Sequence, residues 1–172
     1  GDVYKRQRLL SELDADAYAA GTKDEAVRRF AHLPEPDYTP ESVRRMICDE
    51  VATGLSSGTL AVLALADAET DRFVGSVVLF DVCSEAAEVG FWIHPGARGE
   101  GHAHRGLELA SRFARNSGLR TLTARTLPKN KASQHCLTTA GFRETGRGVG
   151  ITPAGQREEL FHYQRDLVTA AQ

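Results

Sequence analysis

Trp92-Ile-His-Pro-Gly-Ala-Arg-Gly-Glu-Gly-His-Ala103 is the stretch on which the reading of this chain turns. The alternation of Val89, Phe91 and Ile93 against Gly90 and Trp92 predicts a strand over 88–94. Pro95-Gly96 stops it. A glycine-rich turn follows, and a helix is expected from Gly101 to about Asn116, closed by Gly118. A strand, a glycine turn and a helix in succession aim several backbone N–H groups at one point beside the positive end of the helix dipole. Gly99 and Gly101 allow close approach of an oxygen-rich ligand, and Ala103 keeps the first helical turn small. A pyrophosphate suits such a turn. A Walker loop is excluded, because no Gly-Lys-Ser/Thr is present. The dinucleotide fingerprint fails as well: Gly99-x-Gly101 is followed by His104 where a third glycine belongs, and the motif lies mid-chain.

Working outward, Arg8-Leu9-Leu10 reads as the tail of a first strand, and Asp14 to Phe30 as a helix interrupted by Gly21. Pro34, Pro36 and Pro40 mark a loop. Thr39-Pro40-Glu41 starts a second helix, which Gly54 is expected to end. Leu60–Leu65 and Arg72–Phe80 read as a hairpin across a turn at 67–71. Downstream, Leu119–Thr126 is a strand, Asn130–Ala140 a short helix closed by Gly141, and Phe142 onward returns to strand, with a last strand over Glu159–Leu167. This order predicts an α/β (α+β) chain with a mixed sheet and no regular βαβ repeat.

The 172 residues suit one domain, expected over 8–168, with 169–172 a tail. Residues 2–7, Asp-Val-Tyr-Lys-Arg-Gln, resemble the translated end of a transposon-based sequencing adaptor, so residues 1–7 are set apart from fold reasoning. No stretch approaches the roughly 20 apolar residues of a membrane helix. With no signal-peptide pattern either, the expected location is cytoplasmic, with no membrane partner. Cys48, Cys83 and Cys136 show no metal-ligand spacing and are expected as reduced, mostly buried thiols. His94, His102 and His104 do not share a helix face, so no metal is expected.

The net charge of −2 argues against a nucleic-acid partner. Its distribution is uneven. Residues 1–86 carry −7 and residues 87–172 carry +5. That split suits an anionic ligand on the C-terminal half and a cationic one near the N-terminal half; two ordinary solvated faces would give the same numbers.

Arg98-x-x-Gly101-x-Ala103 resembles the R/Q-x-x-G-x-G/A loop of the GNAT N-acetyltransferase superfamily. Asn130-x-x-Ser133, followed by Gly141-Phe142, resembles a later segment of that family, and Glu88–Pro95 its strand before the loop. Arg8-Leu-Leu-Ser-Glu-Leu-Asp14 resembles the opening of the RimJ/RimL-like branch, which acetylates ribosomal-protein N-termini. The resemblance implies a mixed, mostly antiparallel sheet of about seven strands with helices on both faces. It also implies a splayed parallel strand pair at the CoA site.

The activity implied is transfer of an acetyl group from acetyl-CoA, as co-substrate, to a primary amine by direct attack on the thioester. The acceptor is a protein N-terminus, another peptide or a small molecule, and the protein a monomer or homodimer. An acyl-CoA-binding or sensing domain without catalysis would keep the same loop. By resemblance, Arg98, Gly99, Glu100, Gly101, His102 and Ala103 hold the pyrophosphate. Phe91, Trp92 and Ile93 line the pantetheine arm and turn a backbone N–H to the thioester oxygen. Asn130 meets the arm, a role that coexists with capping its own helix. Ser133 takes the position that meets the CoA sulfur in the RimL-like branch, and the tyrosine usual in other branches is absent from this helix; Ser133 also reads as an ordinary helix-surface serine. Glu88 is the candidate base, directly or through a water, provided an apolar pocket raises its pKa; otherwise it is a solvated strand-end carboxylate.

Overall fold

The computed structural model describes residues 5–167, and of residues 5 and 6 the backbone only. Residues 1–4 of the adaptor-like segment and the tail at 169–172 lie outside the described residues. Seven strands form one sheet in the order β1-β2-β3-β4-β5-β7-β6. They are β1 (Lys5–Leu9), β2 (Ala61–Asp67), β3 (Phe73–Cys83), β4 (Ala86–Ile93), β5 (Thr121–Thr126), β6 (Arg143–Ile151) and β7 (Arg157–Asp166). Every neighbouring pair is antiparallel except β4 with β5. That parallel pair is short. Ala86, Ala87 and Glu88 face Thr121, Leu122 and Thr123, and beyond them the two strands carry on unpaired. The sheet therefore opens into a V at its centre.

Among the described residues six helices cover the two faces: α1 (Ala15–Thr22), α2 (Glu25–Phe30), α3 (Pro40–Met46), α4 (Ala52–Ser57), α5 (His102–Asn116) and α6 (Lys131–Thr139). The strand period of two divides the apolar residues between two cores. Along β2, Ala61 and Leu65 join one core, Val62 and Ala64 the other. The first core packs Leu107, Ala110 and Ala114 of α5 and Leu137 of α6 against Val77, Val89 and Leu122. The second packs Ala15 and Tyr18 of α1 and Val43 of α3 against Phe73 and Trp92. The Tyr18 ring meets the Trp92 ring edge-on with centroids 5.1 Å apart, and the Phe73 ring lies 5.9 Å away. None of the helices formed by the described residues is long and apolar enough to cross a membrane.

Two glycines serve packing and not helix breaking. Gly54 does not end its helix. The chain runs on through a π-helical turn at Ile47–Val51 and α4, and stops at Gly58, which is left-handed at φ +72°. Gly54 is there for close packing: a Cβ on it would sit 2.4 Å from the Leu60 Cβ. Gly21 likewise lies inside α1, where a Cβ would meet the Trp92 ring at 2.6 Å. The break falls at Asp24, whose carboxylate accepts from the Val27 N–H and starts α2. The Thr39 start is as expected, with Thr39 and Ser42 capping each other and Pro40 in the first turn.

The thiols are free, but Cys48 and Cys83 are exposed and Cys136 is half-buried, against the expectation of buried cysteines. Cys48 sits on the outer side of the π turn, with its thiol 3.2 Å from a Glu12 carboxylate oxygen. Cys83 lies beyond the regular register of β3 with β4.

Candidate active site

The glycine loop runs from a 3-10 turn at Pro95–Ala97 into α5. Gly99 and Gly101 are both left-handed, at φ +79° and +75°. A Cβ on either would meet nothing within 4 Å, so glycine is needed for the backbone angle and the space before the loop is open. No side chain caps the first turn of this 15-residue helix. Its leading N–H groups and its dipole are left for an anion. These features fit a pyrophosphate.

The side chains of the loop are already engaged. Arg98 forms an ion pair with Asp24 and holds that carboxyl below its usual range, tying the loop to the start of α2. Glu100 lies 2.8 Å from Nε2 of the buried His102, whose Nδ1 is buried without a hydrogen-bond partner among the described residues. Ala103 is half-buried in the first turn of α5.

On β4, the His94 N–H donates to the Val74 carbonyl on β3 at 2.8 Å. The register stays regular from there to Glu88, so the N–H groups of Trp92 and Gly90 also point to β3. Those of Phe91 and Ile93 point the other way, to the edge that β5 leaves open. The indole of Trp92 packs in the second core. Phe91 and Ile93 are thus the strand's outward donors at the V.

Across the V, Asn130 is buried and its Oδ1 accepts from the Ser133 N–H at 3.2 Å, capping α6. Asn130 and Ser133 both border a cavity of about 590 Å³ that runs from the V to α1 and α3. Glu88 borders it too. Arg125 Nε donates to Glu88 Oε2 at 3.0 Å, while Arg125 Nη1 holds the Ile151 carbonyl at 2.8 Å. Burial is the largest influence on Glu88 and raises its carboxyl above the usual value; Arg125 works against it. Burial thus shifts Glu88 in the direction a base there requires, with a guanidinium against it.

Three wall residues have no signature in the sequence. Arg125 lies 37 positions from Glu88 and reads as one polar residue in a strand. Thr126 is 3% exposed, and its Oγ1 is buried without a partner among the described residues. His32, in the loop after α2, is left-handed at φ +52°, with Nε2 buried and unpartnered among the described residues. A lone histidine before Leu33-Pro34 carries no pattern by which it could have been singled out.

A seven-stranded sheet opened at a parallel pair, with a glycine loop feeding a helix beside the opening, defines an acyl-CoA-dependent transferase type of fold. The family model described as "Acetyltransferase (GNAT) domain" matches residues 7–143, and the chain belongs to that family. Solved structures agree with the fold. Mycobacterium smegmatis RimJ in complex with CoA-disulfide superposes at TM-score 0.83 and 18% identity, over 94% of this chain and 81% of that one. Ribosomal-protein-S5-alanine acetyltransferase from Vibrio fischeri superposes at 0.80 and 17%, over 94% and 92%. Spermidine N-acetyltransferase from Vibrio cholerae, in complex with CoA and spermine, gives 0.79 and 16%, over 95% of each chain. No curated protein sequence matches at a significant level.

Proposed function

We propose that the chain transfers the acetyl group of acetyl-CoA to a primary amine on a cationic acceptor, either a small polyamine-like molecule or a peptide N-terminus. One observation carries the reading. A single cavity joins the opened strand pair, with Asn130 and Ser133, to the helices of the opposite face. A donor entering over the glycine loop and an acceptor entering from α1–α3 would meet in it. The acceptor end is acidic. Glu35, Asp37, Asp49, Glu50 and Glu88 border the cavity, against Arg45 and Arg125. A low-dielectric cleft with that balance attracts cations. The Vibrio cholerae spermidine N-acetyltransferase is in complex with spermine, a polyamine, and the Vibrio fischeri enzyme is named for an alanine of ribosomal protein S5, which supports acceptors of these two kinds.

In this reading the N–H groups of α5's first turn and of Gly99 and Gly101 hold the pyrophosphate, with Arg98 beside them. His102 and Glu100 brace the loop from beneath. The outward N–H groups of Phe91 and Ile93 hold the pantetheine arm and polarise the thioester carbonyl, and Trp92 fixes the strand they sit on. Asn130 shapes the α6 end, and Ser133 hydrogen-bonds the departing sulfur. Glu88 is the anion that holds the acceptor's ammonium, and the burial that raises its pKa places it among the groups able to move a proton.

The test is release of CoA thiol from acetyl-CoA with a panel of polyamines and N-terminal peptides. Turnover is expected with members of the panel that carry a second positive charge. Tight acetyl-CoA binding with no turnover on any amine, and no change on Glu88→Gln, would instead favour a sensing domain.

A further inference from the structure

We propose that His32 is the group that takes the proton from the acceptor amine. The proposal rests on the acetyl-transfer reading above and moves the base from Glu88 to a residue on the helical face. His32 borders the central cavity and also a second one of about 490 Å³, lined among others by Arg28, Glu35, Asp37 and Gln156. It therefore stands in the wall between the acceptor's space and an outer pocket. Its backbone is left-handed, a conformation unfavourable for a residue with a Cβ. A buried ring nitrogen without a partner adds a desolvation cost. Two unfavourable features at one residue on a cavity wall are the pattern of a functional side chain held by its surroundings.

The electrostatics suit a base. Burial, the largest influence, pushes the imidazole below its ordinary 6.5. Arg125 on β5 pushes the same way, and Glu158 on β7 pushes back. Lys23 after α1, Arg28 on α2 and Glu35 and Asp37 on its own loop are the further charges around the outer pocket, and Arg45, Asp49, Glu50 and Glu88 those around the central cavity. The ring is then neutral near pH 7, and a free lone pair is what an ammonium needs. Glu88 is less well placed, because one of its oxygens is taken by Arg125.

One N–H bond of the acceptor ammonium breaks and the proton passes to the His32 ring, directly or through a water. The freed lone pair forms a bond to the thioester carbonyl carbon. The C–S bond breaks, its electron pair leaves on the CoA thiolate, and a second proton from the new amide nitrogen goes to that sulfur by way of the Ser133 hydroxyl. The imidazolium then gives its proton to water in the outer cavity. The products are the N-acetyl amine, CoA thiol and one proton released to solvent.

The experiment compares the wild type, His32→Asn and Glu88→Gln. Asparagine tolerates the left-handed backbone, so the loop is retained. Acetyl-CoA affinity is measured by calorimetry, and kcat and kcat/KM are followed across acid and neutral pH with spermine and with whichever peptide the thiol-release panel selects. The wild type should lose kcat/KM as pH falls below the imidazole range. His32→Asn should bind acetyl-CoA as the wild type does, lose about 100-fold in kcat, lose the acid limb, and recover turnover in added imidazole. Glu88→Gln should raise the amine KM and keep the limb. The proposal is overturned if His32→Asn keeps both kcat and the limb, if the limb disappears only in Glu88→Gln, or if His32→Asn loses acetyl-CoA affinity as well. A wild type that binds no acetyl-CoA would strike the acetyl-transfer reading itself, an outcome distinct from all three.

Discussion

The two faces of the sheet are built on different principles. The α5–α6 face presents backbone: left-handed glycines, an uncapped helix start and the open edge of β4. The α1–α4 face presents side chains: the acidic wall, the Glu88–Arg125 pair and His32. Backbone recognition of a fixed cofactor leaves a short local pattern, because glycine is required at set positions. Side-chain recognition of an acceptor is assembled from remote positions and leaves none. The contrast predicts that damage on one face should spare the other, and variants can be ranked by how hard they press on that separation.

The largest effect is expected at Asp14. Its buried carboxylate takes both Nη atoms of Arg8 at 2.7 and 2.8 Å and also accepts from the Ser11 N–H. Arg8 is held charged by the same contact and reaches Asp71 as well. Asp71 still pairs with Arg8 in Asp14→Asn, so the guanidinium keeps one counter-charge, and the variant should cost about 3 kcal/mol in urea unfolding, the low end for breaking a buried pair. At temperatures where the variant is still folded, acetyl-CoA affinity should be unchanged. A parallel fall in affinity would show that the faces are coupled.

Gly101→Val comes next and presses from the other side. Valine at φ +75° is strained, and its side chain enters the open space before the loop. Acetyl-CoA affinity should fall at least about 100-fold, equivalent to about 2.7 kcal/mol. The fold should lose only the roughly 1–2 kcal/mol of backbone strain. Unchanged affinity would refute the pyrophosphate assignment. Ser133→Ala is milder. If the hydroxyl serves the leaving sulfur, kcat should drop by about tenfold or more while the affinity for acetyl-CoA barely moves. Equal losses in both would make Ser133 a binding contact only.

What the sequence revealed follows the same division. The strand–loop–helix unit at 88–116 was legible because periodicity and glycine act locally. So was the Arg8-to-Asp14 motif, whose bidentate pair and capping box lie within seven residues. Gly21 and Gly54 misled because a glycine required by a neighbour's bulk has the same letter as one required by a turn. Arg125 and His32 were out of reach, since their meaning comes from partners on β4, β6 and β7 that only the fold supplies.

The smallest effect is expected at Thr126, which lies between the two regimes. It is at the last position of β5, in the opened part of the V beyond the Glu88–Thr123 pair, and its hydroxyl is buried with no partner among the described residues. In the unfolded chain that hydroxyl is hydrated, so folding forfeits its hydrogen bonds and gains none, a cost of about 1–3 kcal/mol. Thr126→Val keeps the branched shape and removes the orphan. Thermal unfolding of the free protein should therefore be unchanged or shifted slightly upward. A clear loss of stability would mean that water solvates the hydroxyl in the opened part of the V, and its reading as an unpartnered group would have to be withdrawn. If acetyl-CoA affinity falls several-fold while stability holds, the hydroxyl is one side chain that the backbone-built donor face does use. The division between the faces would then be a matter of degree at its centre.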